Sequence, residues 1–303
     1  MSRVVVVGSL NVDLHLLLER HILPGETLLA GGGTFSPGGK GANQACAAAL
    51  AGAPTTLLGA LGDDAASSVA TSRLEEAGVD LTRVVRVPGP SGLAVVSVDA
   101  QGENTVVVVP GANALVTPEM VAGWAEEIET ADVVVLQGEI SAESDLAATR
   151  LVKGRLVVNL APVIQVDPAV LLAANPLVVN EHEGAEALTQ LGGPELTDPR
   201  GIVAGLRAAG VETVVMTVGS AGSLVAQGDA VTAVPSPKVR AVDTVGAGDS
   251  FCGALSARLA AGDDLLDAAA YASRFAAYTV QFEGAQSSYP APGAELPAVR
   301  PAG

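Results

Sequence analysis

Short runs of β-branched and apolar residues, each closed by Gly, Asn or Asp, recur along the chain at Val4 to Val7, Val133 to Leu136, Leu156 to Val158, Leu177 to Val179 and Thr213 to Val218. Continuous apolar runs of this length mark strands buried on both faces. Between them lie Ala-rich segments of helical length: Ala42 to Ala51, Ala65 to Ala77, Pro118 to Ile128, Glu181 to Leu191 and Ile202 to Ala209. Strand and helix in alternation predict an α/β fold with a mostly parallel sheet between two helical layers.

Two stretches break that rhythm. Val12 to Leu18 has apolar residues at every second position, and Thr27 to Phe35 is a second candidate strand beyond the Pro24-Gly25 turn. Leu93 to Val98 and Thr105 to Val109 predict a hairpin around Ala100-Gln101-Gly102-Glu103. Together they predict a small separate sheet, over about 12–36 and 91–110, that serves as a lid on one domain spanning 1–303. No internal repeat is present, and only the Pro/Ala/Gly-rich tail from Pro290 looks irregular.

Charge narrows the partners. Sixteen Lys+Arg against 33 Asp+Glu give a formal net charge of -17, a field that repels nucleic acid and anionic membrane surfaces. No stretch reaches membrane-spanning length without interruption, and the apolar run at Val4 to Val7 is too short for a signal segment. The only cysteines, Cys46 and Cys252, lie far apart in apolar contexts and form neither a disulfide framework nor a thiolate metal cluster. A reducing, cytoplasmic setting is expected. His15, His21 and His182 lack metal-ligand spacing and read as surface or lid residues, and Trp124 reads as packing.

An anionic ligand would need local neutralisation in so acidic a chain, and one segment offers it. In Asp243-Thr244-Val245-Gly246-Ala247-Gly248-Asp249 the glycines let backbone N–H groups approach a phosphate, and the helix that follows adds the positive end of its dipole. A carboxylate at the same helix start, Asp249, can accept a hydroxyl proton as an alcohol attacks. Anion cradle plus base is the pairing phosphoryl transfer requires. Taken alone, the segment is equally a Gly-rich turn with an ordinary first-turn aspartate.

Two common nucleotide signatures are absent. Gly38-Gly39-Lys40-Gly41 resembles a fragment of a P-loop, but Thr34 and Gly41 stand where that motif needs Gly and Ser or Thr. No strand-linked G-x-G-x-x-G occurs, since Phe251 takes the third position after Gly246 and Gly248. What remains is a set of polar strand ends. Gly8-Ser9-Leu10-Asn11-Val12-Asp13, Gln137-Gly138-Glu139, Asn180-Glu181-His182-Glu183 and Thr217-Val218-Gly219-Ser220-Ala221-Gly222 all follow buried runs, where open α/β sheets bind ligands. Each alone is also an Asx-turn, a helix-start acid or a tight turn. Gly38 to Gln44 precedes an Ala-rich helix and presents Lys40 and Asn43, or is simply a helix-entry loop.

In this order the segments resemble the ribokinase family of PfkB-type sugar kinases. The matching pieces add Pro24-Gly25-Glu26-Thr27, Gly111-Ala112-Asn113, Asn159-Leu160-Ala161-Pro162 and Gly284-Ala285-Gln286, and they cover nearly the whole chain. The resemblance implies a three-layer α/β/α core with a β-sheet lid that also clasps a second subunit in a homodimer. It implies ATP-dependent phosphorylation of ribose, with Asp249 as base and the amides of Gly246, Ala247 and Gly248 as anion hole. Asn11, Asp13, Gly39, Lys40, Asn43 and Glu139 would hold the sugar. Asn180, Thr217, Gly219, Gly222, Gly248 and Ser273 would meet ATP, and Glu183 would order Mg²⁺. A K⁺ site would fall on Asp243, Val245, Thr279, Phe282, Gly284 and Ser288. Ser273 departs from the His or Asn usual in the family. Other acceptors of the same family (deoxyribose, fructose, adenosine) and a non-catalytic sugar or nucleotide sensor are the alternative readings.

Overall fold

Val4–Val7, four consecutive β-branched residues, form strand β1 and are completely buried. Val4 and Val6 face one apolar cluster while Val5 and Val7 face another. A strand buried on both faces requires helices on both sides, and at about 1.5–3 kcal/mol per buried valine it is a strong determinant of that layering. The structure is a computed structural model and describes residues 3–299.

After β1 come β2 (Asn11–Leu17), β3 (Gly32–Gly38), α1 (Lys40–Leu50), β4 (Thr55–Leu58), β5 (Ala60–Gly62), α2 (Ser67–Glu76), β6 (Val85–Val87), β7 (Gly92–Val98) and β8 (Asn104–Val109). The middle of the chain forms α3 (Pro118–Ala122), α4 (Ala125–Glu129), β9 (Val133–Gln137), α5 (Ala142–Leu151), β10 (Arg155–Asn159), α6 (Pro168–Leu172), β11 (Leu177–Asn180) and α7 (Glu181–Gln190). It ends with α8 (Pro199–Ala208), β12 (Thr213–Thr217), β13 (Ser223–Gln227), β14 (Ala230–Val234), α9 (Ala247–Ala260) and α10 (Leu265–Thr279). Eight strands make the central sheet in the order β14-β13-β12-β11-β10-β9-β1-β4, parallel from β12 to β4 and antiparallel at β12, β13 and β14. Helices α1, α2, α9 and α10 pack on one face and α3 to α8 on the other. Among the described residues no helix is long and apolar enough to cross a membrane.

The second sheet has the order β3-β2-β7-β8. Register partners share a face, so Ser36, Asp13, Ala94 and Val108 lie in one row, and Phe35, Leu14, Val95 and Val107 lie in the next row on the opposite face. Strand β3 begins later than Thr27: pairing with β2 selects Gly32–Gly38, and residues 27–31 have no strand structure. The expected single helix from Pro118 to Ile128 is two short ones, broken at Gly123 and Trp124. Trp124 is 3% exposed and packs in the core as expected. Residues 290–299 carry no regular element, and the rest of the irregular tail lies outside the described residues.

Candidate active site

The carboxyl ends of β1, β9, β10, β11 and β12 open on one side of the sheet, and α9 starts above them. Gly246 caps α9 with φ 72°, and a Cβ there would lie 2.7 Å from the Ala285 side chain. Only glycine takes this left-handed, crowded position without strain. Asp249 sits in the first turn of α9 and is buried. Asn43 Nδ2 donates to its Oδ2 at 2.9 Å, and Gln44 Nε2 donates to its Oδ1 at 3.0 Å. The Lys40 ammonium stands 3.9 Å from Oδ1. Of the three amides expected to cradle an anion, the Ala247 N–H turns back to Thr244 O, whereas Gly246 and Gly248 line the cleft. Tyr289 Oη donates to Gly246 O at 3.3 Å and supports the turn from below.

This cleft, about 240 Å³, is lined by Lys40, Asn180, Glu183, Thr217, Gly246, Gly248 and Asp249, together with Asn159, Ala161, Val178, Val179 and Thr244. Residues from five segments distant in sequence therefore meet in one cavity. Asn180 and Glu183 form a reciprocal capping box at the start of α7, each side chain bonded to the other's backbone N–H at 2.8 Å. That box stabilises the helix and holds the Glu183 carboxylate against the cleft. Burial raises the Glu183 carboxyl above its ordinary value, against the Asn180 N–H and the Lys40 charge. Gly219 and Gly222 lie in the turn after β12 without lining the cleft, and Gly222 packs on the backbone of Val234 to Ser236. Ser273 is buried on α10, its Oγ without a hydrogen-bond partner, and is also absent from the lining.

A second cavity of about 380 Å³ opens beside Asn11 and Glu139, bounded by Val108, Pro110, Asn113, Ala114, Gly138, Ile140, Ser141 and Pro162. Glu139 Oε2 accepts from Ser9 Oγ and from Lys40 N at 2.9 Å, so the carboxylate caps α1 from the end of β9. Gly39 has φ 88°, and a Cβ there would come 2.7 Å from Asn11 N. Asp13 reaches in from β2 beside Gly38, where a Cβ would overlap its carboxylate. Burial first, then Glu139 and Asp249, push the Asp13 carboxyl up to about 7, opposed by Lys40. Asp249 in turn raises the Lys40 ammonium above its usual value.

Around the chain's other predicted ion site, Asp243 Oδ1 accepts from Val245 N at 3.0 Å and Oδ2 from Gly284 N at 2.8 Å, tying the two loops together. Thr279 Oγ1 and Ser288 Oγ donate to nearby carbonyls, and Phe282 is 47% exposed. Among the described residues no group of three or more His, Cys, Asp and Glu side chains can hold a metal ion. A cation here would be held by carbonyls and one carboxylate, donors that suit K⁺.

Several residues that shape the site lie in the quoted segments without having been singled out. Asn113 accepts from Leu10 N at 3.0 Å and donates to Asn11 Oδ1 at 2.7 Å, fixing the amide of Asn11. Ser9 links Glu139 to Gly41 N. Gln44, Asn159 and Gln286 extend the network around Asp249. Their signal in sequence is an amide placed among small apolar residues, which is costly to bury unless it is bonded.

Known proteins share this chain's sequence and fold over nearly its whole length. The chain is 34% identical over 298 residues to the ribokinase of Staphylococcus aureus, covering 95% of this chain and 97% of that protein. It is 34% identical over 301 residues to the bifunctional ribokinase/ribose-5-phosphate isomerase A of Fructilactobacillus sanfranciscensis, covering 96% of this chain and 55% of that longer protein. The structure of Arabidopsis thaliana ribokinase complexed with ribose and ATP superposes with a TM-score of 0.86 at 32% identity, covering 96% of each chain. The family described as pfkB family carbohydrate kinase matches residues 1–292, and the chain belongs to it.

Proposed function

We infer that this protein is a ribokinase, transferring the γ-phosphoryl group of ATP to O5 of D-ribose. The observation that carries the reading is the setting of Asp249. It is a buried carboxylate at a glycine-capped helix start, held by Asn43 and Gln44, with Lys40 alongside. The likeness to ribokinases over the whole chain supports the same substrates.

Asp249 takes the proton of the attacking hydroxyl, whose oxygen forms the new bond to phosphorus as the bond from the γ-phosphorus to the β,γ-bridging oxygen breaks. The Gly246 and Gly248 amides and Lys40 face the charge that develops on the transferring group. Asn11, Asp13, Gly39, Asn43 and Glu139 hold the sugar hydroxyls, the carboxylates as acceptors and the amides as both donor and acceptor. Asn180, Thr217, Gly219, Gly222 and Ser273 belong to the nucleotide side. Glu183 suits Mg²⁺, a hard ion that keeps its waters and neutralises phosphate charge. Asp243 with the neighbouring carbonyls suits K⁺.

The small sheet is the lid, covering the sugar with its Asp13 face. Its outer face supports a homodimer: Phe35 and Val107, in one row with Leu14 and Val95, are 63% and 64% exposed. The buried free thiols of Cys46 and Cys252 fit a cytoplasmic protein.

The test is ADP release with Mg-ATP and K⁺ on ribose, deoxyribose, fructose and adenosine in parallel. Ribose is expected to give the highest kcat/KM. The cavity beyond Glu139 favours a bulkier acceptor as the second reading, and faster turnover of adenosine would establish it. Asp249→Asn should fold and lose roughly 100- to 10,000-fold in kcat, whereas turnover near wild type refutes the base.

A further inference from the structure

We propose that Gln44 and Gln286 are positioning residues for the base, forming with Asn43 and Asn159 a buried chain of amides that fixes the plane of the Asp249 carboxylate. This rests on Asp249 being the base. From one end, Gln286 Nε2 donates to Asn43 Oδ1 at 2.9 Å, and Asn43 Nδ2 donates to Asp249 Oδ2 at 2.9 Å. From the other, Asn159 Nδ2 donates to Val178 O at 3.0 Å and its Oδ1 accepts from Gln44 Nε2 at 2.8 Å. The same Gln44 nitrogen donates to Asp249 Oδ1 at 3.0 Å.

Every member is buried: Gln44 is 0% exposed, Gln286 1%, Asn43 6%, Asn159 7% and Asp249 6%. Each carboxylate oxygen therefore receives one amide N–H, which restrains rotation about the terminal carboxyl torsion, a broad and soft one when unrestrained. A remaining lone pair stays available for the sugar hydroxyl.

The orientation of Gln44 follows from its partners. Two acceptors, Asn159 Oδ1 and Asp249 Oδ1, demand the nitrogen, and Oε1 is left buried without a hydrogen-bond partner. Gln286 is turned the same way, its nitrogen on Asn43 and its Oε1 without a partner. Leaving a buried amide oxygen unsatisfied is unfavourable, so in both side chains N–H donation toward the base prevails over the acceptor's own need. Gln44 does not line either cavity, so its action on the reaction passes through Asp249.

The experiment uses Gln44→Met, which keeps the length and removes the donor, Gln44→Glu, which sets a carboxylate against Asp249, and Gln286→Met. Each is also placed in the Asp249→Asn background. Single-turnover phosphoryl transfer, the KM of sugar and of Mg-ATP, and the melting temperature are measured. Gln44→Met should slow transfer by about 10- to 100-fold through misplacement of the base, with Gln44→Glu slower still and Gln286→Met affected less. Both KM values should stay within about twofold of wild type, the pattern of an interaction that matters only in the transition state.

In the Asp249→Asn background, Gln44→Met should change the residual rate by less than about twofold, because the two act as one unit. A wild-type rate for Gln44→Met beside an inactive Asp249→Asn overturns the amide chain and leaves the base assignment standing. Turnover at the wild-type rate in Asp249→Asn overturns the base and the proposal together. An equal loss from Gln44→Met in both backgrounds marks a merely structural role and also overturns it. If Gln44→Met does not fold, Gln286→Met carries the same comparison.

Discussion

Replacing Asp13 by Asn should stabilise the protein at neutral and alkaline pH while weakening its hold on the sugar. Asp13 faces Glu139 and Asp249 with Lys40 as the counter-charge, and its Oδ1 is buried without a hydrogen-bond partner. Burial, reinforced by those two carboxylates, moves its carboxyl from 3.8 to about 7. The folded protein therefore holds this proton more tightly than the unfolded chain. Its contribution to stability is complete below 3.8 and is lost as pH rises through about 7. Roughly 3 pH units at about 1.4 kcal/mol each put the loss near 4 kcal/mol, an upper figure because the cleft admits water.

Asn has nearly the same volume and carries no charge to desolvate. Urea unfolding of both proteins at a series of pH values should give equal stability near pH 4 and an advantage of about 2–4 kcal/mol to Asp13→Asn near pH 8. The same change removes a charge-assisted acceptor worth about 1.5–3 kcal/mol, so the sugar KM should rise about 10- to 100-fold. A stability difference independent of pH, or a variant less stable than wild type near pH 8, refutes the reasoning. In the proposed sugar-binding role, such a carboxylate is stability given up for binding.

Three further outcomes follow from the same geometry. In the wild type, kcat/KM for the sugar should rise with pH up to about 7, as Asp13 ionises to become a hydroxyl acceptor; a pH-rate profile in which Asp13→Asn keeps that limb contradicts this role. Gly246→Ala forces a side chain into a φ of 72° and against Ala285, so kcat should drop by at least about 10-fold, with a strain of about 1–2 kcal/mol visible in thermal melts; unchanged kinetics would show that the anion cradle does not depend on this turn. Phe35→Glu with Val107→Glu puts charge on the outer lid face, and light scattering should find the wild type dimeric and the variant monomeric, whereas a monomeric wild type would remove the dimer from the proposal.

Val4 to Val7 and the other unbroken apolar runs already dictate strands buried on both faces, because nothing in them can face water. The Ala-rich stretches between them dictate the covering helices, and hence the layers. Gly246 and Asp249 are legible as a glycine turn and a first-turn carboxylate for a local reason too: both features depend on a helix start a few residues long. Other features were decided only by tertiary structure. The register of β3 comes from pairing with β2, so local pattern misplaced its start at Thr27. The break at Gly123 and Trp124 reflects packing of Trp124 into the core, which overrides a continuous helical pattern.

The proposed base shows the division most clearly. That Asp249 stands at a helix N-terminus is written in seven consecutive residues. That Gln44, 205 positions away, donates to one of its oxygens, and Asn43, 206 positions away, to the other, is not. Hydrogen bonds act over about 3 Å of space without regard to separation along the chain, so the partners of a buried carboxylate emerge only when α1 and α9 pack face to face.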